Sequence, residues 1–577
     1  MRYHALATDY DGTLAHHGGV DAPTIAAMER LLASGRRLIM VTGRELPELL
    51  TVFPRIDLFE LVVAENGALL YWPAKKEEKK LAESPPERFV QMLKERGVGP
   101  ISVGRVIVAT WEPHEAVVLE TIRDLGLDLQ VIFNKGAVMV LPASVNKASG
   151  LKEALKELGL SPHNVVAVGD AENDHAFLKY CEFAAAVSNA LPAVKETADM
   201  VTSQDHGAGV TELIDAMVRD DLVRFEPRLT RHLLPLGTYD GREVSLSPFG
   251  PLVLVAGPSA CGKSTFTTAF LESLAQQKYQ FCVIDPEGDY QQLPLATTLG
   301  GPEHPPVLEE VQKALLKGDN TIVSLIGMPI AGRPPFFLHL LPQLLQMRAK
   351  LGRPHWLVID EVHHLLPANW QPPAGVLPEQ LHSTLMVTVH PELLNPGLLK
   401  RVTTMIAIGP DAGRTLQRFA EAAGAILPVF EPPVLEPGEA LVWLPASDQP
   451  PLRIKAHVSK VERRRHRRKY AEGELPPERS FYFRGPANTL NLRAQNLILF
   501  MQIGDGIDDE TWQFHLSNGD YARWFRAAIK DDSLGAEAER IAGLQVTPNE
   551  SRALLRTAIE RDYTLSATGP LPVAGAG

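Results

Sequence analysis

The chain has 577 residues, 45% of them apolar and 22% charged, with a net charge of −12. At roughly 100–200 residues per domain this is room for three or four domains, and the acidic balance argues mildly against wholesale coating of nucleic acid while leaving a local basic patch free to meet phosphates. Three cysteines, Cys181, Cys261 and Cys282, make neither a metal nor a disulfide pattern and fit a reducing cytoplasm. No apolar run approaches the ~20 residues that span a bilayer, and the chain enters a strand within its first residues, leaving no room for a signal peptide.

Residues 3–8 predict a short apolar strand. Ile25, Met28, Leu31 and Leu32 give 23–34 helical spacing, and strands follow over 38–41 and 61–64. Strands at 165–168 and 184–187 continue the alternation, which implies βαβ units and a parallel sheet. Between the strands at 61–64 and 165–168, 67–145 has a rhythm of its own: a strand near 103–109, a helix near 115–125, and strands near 129–133 and 137–141. It reads as an inserted α/β cap. Its charged run, Lys75-Lys76-Glu77-Glu78-Lys79-Lys80, is expected to be a solvated surface turn. Residues 221–244 read as a linker. A second α/β domain is expected over 245–450, with strands near 252–256, 281–284, 321–324, 356–359 and 385–389 and a final strand over 437–442. A basic linker over 451–480 carries the run Arg463-Arg464-Arg465-His466-Arg467-Arg468-Lys469. A module over 481–565 reads as helices packing Trp512, Tyr521, Trp524 and Phe525 around a small core. The tail 566–577, small and Pro/Gly-rich, is expected to be disordered.

The first chemical signature is Asp9-Tyr10-Asp11-Gly12-Thr13, placed at the end of a strand, where ligands gather in open α/β sheets. Two carboxylates two residues apart suit nucleophilic phosphoryl transfer. Asp9 would attack phosphorus to form an aspartyl-phosphate, and Asp11 would protonate the leaving oxygen and later activate water. Carboxylate-held Mg²⁺ would offset the developing charge. Thr42-Gly43-Arg44 follows another strand and offers a hydroxyl and backbone N–H groups to phosphate oxygens. Lys147 precedes a Leu- and Ala-rich helix, and Gly169-Asp170-Ala171-Glu172-Asn173-Asp174 follows the strand at 165–168.

This ordered set, with Ala64-Glu65-Asn66-Gly67-Ala68, resembles the haloacid dehalogenase superfamily, and in particular its Cof-type members with a type IIB cap, over about residues 1–215. The resemblance implies a Rossmann-like core over 1–66 and 146–220 with the cap over 67–145, and Mg²⁺-dependent phosphatase activity on a small phosphorylated metabolite. It makes Asp9 the nucleophile and Asp11 the acid/base, and assigns phosphate to Thr42, Gly43 and Lys147. It gives Mg²⁺ to Asp9, Asp170 and the Asp11 carbonyl, with Asn173 and Asp174 in the outer part of the metal motif.

The second signature is Gly257-Pro258-Ser259-Ala260-Cys261-Gly262-Lys263-Ser264-Thr265, a G-x-x-x-x-G-K-S loop directly after a strand and before a helix. Its backbone N–H groups and helix N-terminus suit a β-phosphate, Lys263 the β/γ oxygens and Ser264 a Mg²⁺ ion. The apolar strand Trp356-Leu357-Val358-Ile359 ends in Asp360, placed for the magnesium, and Glu361, placed to polarise water, which points to ATP hydrolysis. With Ile284-Asp285-Pro286-Glu287-Gly288-Asp289-Tyr290 and Pro437-Gly438-Glu439-Ala440-Leu441-Val442, these motifs resemble the HerA–FtsK-type ATPases. That family often forms hexameric rings that move DNA or protein. His390 stands where a glutamine is more usual, and the core is short. Arg401 and Arg414 read either as trans-acting fingers or as solvated side chains. Cys261 reads as inert, with thiol activation by the helix N-terminus as the alternative.

The expected whole is a cytoplasmic α/β enzyme without membrane contact: a Mg²⁺ phosphatase joined to a P-loop ATPase and a small, mainly helical C-terminal region, with homo-oligomerisation as a ring in view. One alternative is a nucleic-acid motor using the 463–469 run, which otherwise is a solubilising linker. The other is a nucleotide-gated signalling scaffold.

Overall fold

The computed structural model describes residues 1–560 except 135, 259–260, 292, 367–380, 460–474, 476, 530 and 545. The 463–469 run and the 566–577 tail therefore lie outside the described residues. The chain divides into two compact units, Met1–His457 and Val458–Gly577.

The first unit holds two large sheets. The eight-stranded one runs Met200–Val201, Phe183–Ala186, Val165–Gly169, Ala5–Thr8, Arg37–Val41, Leu61–Ala64, Leu69–Trp72, Glu77–Lys80. The first six strands are parallel and the last two antiparallel. Its central strands are buried along their whole length, which is why they appear as unbroken apolar runs rather than alternating ones. Ala5–Thr8 pairs with Arg37–Val41 on one side and Val165–Gly169 on the other. The chain thus reverses direction across the sheet beside this strand, and the crevice past its carboxyl end is the switch point where ligands of such sheets bind.

The inserted body is smaller than 67–145. It is a four-stranded antiparallel sheet in the order Ser102–Val103, Val108–Trp111, Ala137–Pro142, Leu129–Asn134, covered by the helices Glu87–Glu95 and Glu115–Asp124. Phe89, Leu93, Val118 and Val140 lie in its own core. Residues 69–80 belong instead to the main sheet. The charged run is correspondingly not only a turn: Glu77–Lys80 is a fully exposed edge strand held by pairing with Leu69–Trp72. Charge on an exposed edge discourages further strands from adding there.

The second sheet has eleven strands. Seven are parallel, in the order Thr404–Ile408, Leu252–Ala256, Thr384–Thr388, Trp356–Ile359, Phe281–Asp285, Thr321–Ser324, Thr297–Leu299. Four antiparallel strands extend it: Glu439–Trp443, Leu452–Ala456, Leu234–Tyr239 and Arg242–Leu246. The sheet thereby reaches beyond 245–450 at both ends. The segment 221–244 is not a linker throughout but runs into a hairpin of this sheet, and the strand at 437–442 is followed by another at Leu452–Ala456, inside the expected basic linker.

The second unit pairs Phe481–Phe483 with Leu492–Ala494 under helices including Leu497–Gly506, Asp509–Ser517, Asp532–Ala542 and Pro548–Ile559. Phe481, Phe483, Phe500, Trp512, Tyr521 and Trp524 make an aromatic core of edge-on, tilted and stacked rings. Among the described residues no helix is long and apolar enough to cross a membrane.

Candidate active site

Asp9 follows directly on the central strand, its N–H donating to the Val168 carbonyl at 3.1 Å, and its side chain is buried. The neighbouring strand Val165–Gly169 delivers Asp170, and a short turn brings Asp174 back underneath. Asp174 Oδ2 accepts the N–H groups of Asp170 and Ala171, each at 2.9 Å. The carboxylates of Asp9, Asp170 and Asp174 lie within 4.8 Å of one another. Lys147, at the first position of the helix Lys147–Leu158, places its ammonium 2.6 Å from Asp9 and 2.6 Å from Asp174. Thr13 Oγ1 donates to Asp170 Oδ1 at 3.0 Å.

Gathering like charges away from water is costly, and the titration of the groups records it. Burial first, and the Asp174 charge second, push the Asp9 carboxyl above the usual carboxylate range, against the Lys147 charge, which lowers it. Burial pulls the Lys147 ammonium down, but Asp174 and Asp9 outweigh it and leave it above its usual range. One ammonium shared by two carboxylates leaves the three acids under-neutralised. A hard divalent cation with oxygen ligands suits such a donor set, so the residues present fit Mg²⁺.

The remaining residues of the motifs surround this centre. The Asp11 carboxylate is taken bidentately by Arg44, with Nε to Oδ2 and Nη2 to Oδ1 both 2.7 Å, while Arg44 also pairs with Glu48. Thr42 is buried, its hydroxyl accepting the Arg44 N–H at 3.1 Å, and Gly43 lines the cavity above Asp9. Asn173 is drawn aside: its amide donates to Asn66 Oδ1 at 3.3 Å. Three side chains make contacts that the motifs do not announce. The first is that of Arg44, whose motif points only to its backbone. The second is Glu65, buried at the core–insert junction, which accepts N–H groups from Arg105, Val106 and Ile107 at 2.8, 2.8 and 3.0 Å. The third is Asn189, which donates to the Gly12 carbonyl at 2.7 Å and braces the motif loop. All three act across long sequence separations that no local pattern signals.

A model of the haloacid dehalogenase-like hydrolases matches residues 6–109 and 105–214. A phosphoglycolate phosphatase of Methanothermobacter thermautotrophicus is 34% identical over 219 residues, which are 36% of this chain and 96% of that protein. The chain belongs to the haloacid dehalogenase-like hydrolases. Phosphoglycolate phosphatase 2 of Saccharolobus solfataricus is 29% identical over 220 residues, 37% of this chain and 91% of that protein. A haloacid dehalogenase-like hydrolase structure from Bacteroides thetaiotaomicron aligns with 37% of this chain and 99% of its own at 18% identity and a TM-score of 0.34.

The hydrolase also carries the second motif set. Gly262, with φ +104°, ends the loop after Leu252–Ala256, and the helix Lys263–Gln276 begins at the next residue. A side chain on Gly257 would meet the Ile408 carbonyl at 2.1 Å, so the loop lies tight against the adjoining strand. Lys263 Nζ donates to the carbonyls of Gly257 and Pro258 at 3.0 and 2.9 Å, and Ser264 Oγ stands 3.4 Å from Asp289 Oδ2. Ser259 and Ala260 lie outside the described residues; Thr265 is half-buried in the helix. One strand separates this loop's strand from Trp356–Ile359, which ends in Asp360 and Glu361. Burial, then the charges of Glu361 and Asp285, hold Asp360 well above the usual carboxylate range. Burial also raises Glu361, against the nearby Lys263 charge, which lowers it. Glu361 sits at φ +39°, with His363 Nδ1 3.3 Å from its Oε2. Burial pushes the Cys261 thiol up, against the Lys263 charge and N–H at the helix N-terminus, which lower it. His390 is exposed beside Glu392, and Arg401 and Arg414 are exposed.

Between the two sheets runs a buried polar seam. Glu182 accepts from Arg2 at 2.6 Å and meets His163 Nδ1 at 2.7 Å, while His163 Nε2 reaches the Gln277 carbonyl at 2.8 Å. His355 accepts the Gln280 N–H at Nδ1, 2.8 Å, and so donates from Nε2 to Asn164 Oδ1 at 3.2 Å. His163, Glu182 and His232 are also close enough to hold a metal, but the Arg2 guanidinium already supplies the positive charge there.

Proposed function

We propose that residues 1–220 hydrolyse a small phosphate monoester through an aspartyl-phosphate on Asp9. The observation that carries this reading is the buried Asp9 carboxylate at the switch point, 2.6 Å from Lys147 and facing Asp170 and Asp174. An Asp9 oxygen attacks phosphorus and the ester P–O bond breaks, the departing oxygen taking its proton from Asp11. The Asp11 carboxylate then accepts a proton from a water that attacks the same phosphorus, releasing inorganic phosphate and restoring Asp9. Lys147, Thr42 and Gly43 hold the phosphoryl oxygens, and Arg44 fixes the orientation of Asp11. Mg²⁺ held by Asp9, Asp170 and the Asp11 carbonyl, with Asp174 behind them, would neutralise charge on the transferring group. The named activity of the relatives makes phosphoglycolate the reference substrate. The test is phosphate release with Mg²⁺ by wild type and Asp9→Asn, together with acid quench and fluoroberyllate trapping. The expected result is an adduct at Asp9 and no turnover in the variant. Turnover by Asp9→Asn at the wild-type rate overturns the reading.

We further propose that the second sheet binds and hydrolyses ATP. What supports it is the placement of the Lys263 loop and of Asp360 and Glu361 at the ends of two strands separated by one strand of the sheet, with the Lys263 charge acting on Glu361. Lys263 and the loop amides would hold the phosphates, Ser264 and Asp360 the Mg²⁺, and Glu361 the attacking water. ATP hydrolysis lost in Lys263→Ala while phosphatase activity persists is the expected outcome. ATP hydrolysis unchanged by that substitution overturns it.

A further inference from the structure

The chemistry at Asp9 says nothing of the alcohol half of the ester; the cavity above it does. Its volume is about 690 Å³, inside the roughly 300–1,000 Å³ of pockets that enclose drug-sized ligands. At about 30 Å³ per water, an ester of a two-carbon acid would leave most of this space to solvent. Among the side chains that line it, Glu45 and Glu48 included, two groups stand out. The inserted body contributes an apolar face, Ile107, Ala109 and Met139, and beside it Trp111, a large ring left 54% exposed. The core contributes three histidines, His16, His17 and His206, whose rings lie 4.0 and 4.5 Å apart between centroids.

That histidine wall is held against backbone preference. His17 has φ +51° and His206 φ +45°, a region that non-glycine residues keep only where their surroundings over-determine it, and such positions cluster at ligand sites. The supports are visible. His16 exchanges backbone hydrogen bonds with Gly19 at 2.9 and 3.1 Å. The His206 N–H donates to Asn189 Oδ1 at 2.9 Å, and Asn189 in turn donates to the Gly12 carbonyl of the nucleophile loop. The position of the imidazoles is therefore tied to the reacting end of the cavity.

We propose that the cavity is built for a phosphate monoester of a flat aromatic or heteroaromatic alcohol, whose ring is received by Trp111 on one side and the His16–His17–His206 wall on the other; this rests on the phosphatase reading of Asp9. Aromatic rings meet favourably in offset or edge-on arrangements, and an apolar face completes the enclosure.

The test compares kcat/KM of the full chain with Mg²⁺ on phosphoglycolate, benzyl phosphate and pyridoxal 5′-phosphate. All three are esters of primary alcohols, so ring recognition rather than an activated leaving group decides the ranking. At least a tenfold preference for the ring-bearing esters, carried mainly by KM, is expected. Trp111→Ala and His206→Ala should each cut that preference at least fivefold; being a ratio within one preparation, it does not depend on how much of a variant folds. A preference for phosphoglycolate, or a ratio unmoved by both substitutions, overturns this inference and leaves the phosphatase reading standing. Turnover of none of the three esters, with no adduct at Asp9, overturns both.

Discussion

Glu65 Oε2 accepts the backbone N–H groups of both Val106 and Ile107, at 2.8 and 3.0 Å. One core carboxylate thus grips the inserted body by its main chain at the point where that body re-enters the cavity. Glu65 itself is at φ +52° and fully buried. Removing the side chain strands three amide donors, since Arg105 N–H also bonds to it.

Leaving a buried donor unmade costs about 1–3 kcal/mol. With water able to reach Arg105 at the surface, Glu65→Ala is expected to destabilise the first unit by roughly 3 kcal/mol. It should also lower kcat/KM by about tenfold or more, because the cavity wall loses its register over Asp9. Denaturant unfolding alongside steady-state kinetics checks both. A variant with wild-type kcat/KM would show that the grip does not position the wall.

Lys147 offers a second prediction. Its ammonium is the one basic side chain hydrogen-bonded to Asp9 and Asp174 among the described residues. In Lys147→Met those buried carboxylates would face each other without it. Loss of preorganised positive charge at a phosphoryl-transfer centre typically costs about 10²–10³ in rate, so kcat should fall by that order. The protein should fold, because Met replaces the stem of the lysine within the same buried space. Wild-type kcat in a folded Lys147→Met would remove Lys147 from the site.

Much of this site is legible without coordinates, for a physical reason. Asp9, Lys147 and Asp170 each sit where a regular element begins or ends, and the periodicity of apolar residues marks those ends. What escapes is what depends on partners far along the chain. Glu77–Lys80 is all charge, and only its pairing with Leu69–Trp72 makes it a strand. The Arg44 fork on Asp11 spans 33 positions. One miss did carry a local signal: Asp240-Gly241, both at positive φ, 46° and 73°, is the tight turn joining Leu234–Tyr239 to Arg242–Leu246. An Asp-Gly pair between two short extended stretches announces a hairpin, and it lay inside what composition alone marks as linker. The Asp360–Glu361 pair, by contrast, is legible from one apolar strand.

The seam between the sheets makes stability depend on acidity. Burial would raise Glu182, but the hydrogen bond from His163 and the charge of Arg2 bring its carboxyl down to about 2, against an ordinary 4.5. A depressed carboxyl contributes stability that is complete above the unfolded value and is lost as pH falls from about 4.5 toward 2. The contribution is on the order of 3 kcal/mol. His355 acts in the same direction but earlier: burial holds it neutral well below its ordinary 6.5, so the unfolded chain gains a proton the native one refuses as pH drops below that value. Glu182→Gln should be less stable than wild type at pH 7, and the gap should shrink to about half by pH 3 as the carboxylate begins to protonate. Urea unfolding at pH 7, 5, 4 and 3 measures it; a gap independent of pH would mean the carboxylate is not ionised in the seam.

Glu361 gives the sharpest test of the second site. It is held in a left-handed conformation, with His363 Nδ1 3.3 Å from its carboxylate and Thr388 Oγ1 3.2 Å from the same nitrogen. Burial lowers His363 to about 4, so at neutral pH the ring is uncharged and does not neutralise Glu361, whose Oε2 is buried without a hydrogen-bond partner among the described residues. A carboxylate with an oxygen left unpaired in this way can orient and polarise an attacking water; the isosteric amide keeps the shape and loses the charge. Glu361→Gln should therefore bind ATP with near wild-type affinity while hydrolysing it about 10²-fold or more slowly, the loss expected when a positioned general base is removed. Nucleotide binding by equilibrium titration and hydrolysis by phosphate release separate the two effects. Equal loss of both would assign Glu361 to binding, and retention of both would take the strand Trp356–Ile359 out of the reaction altogether.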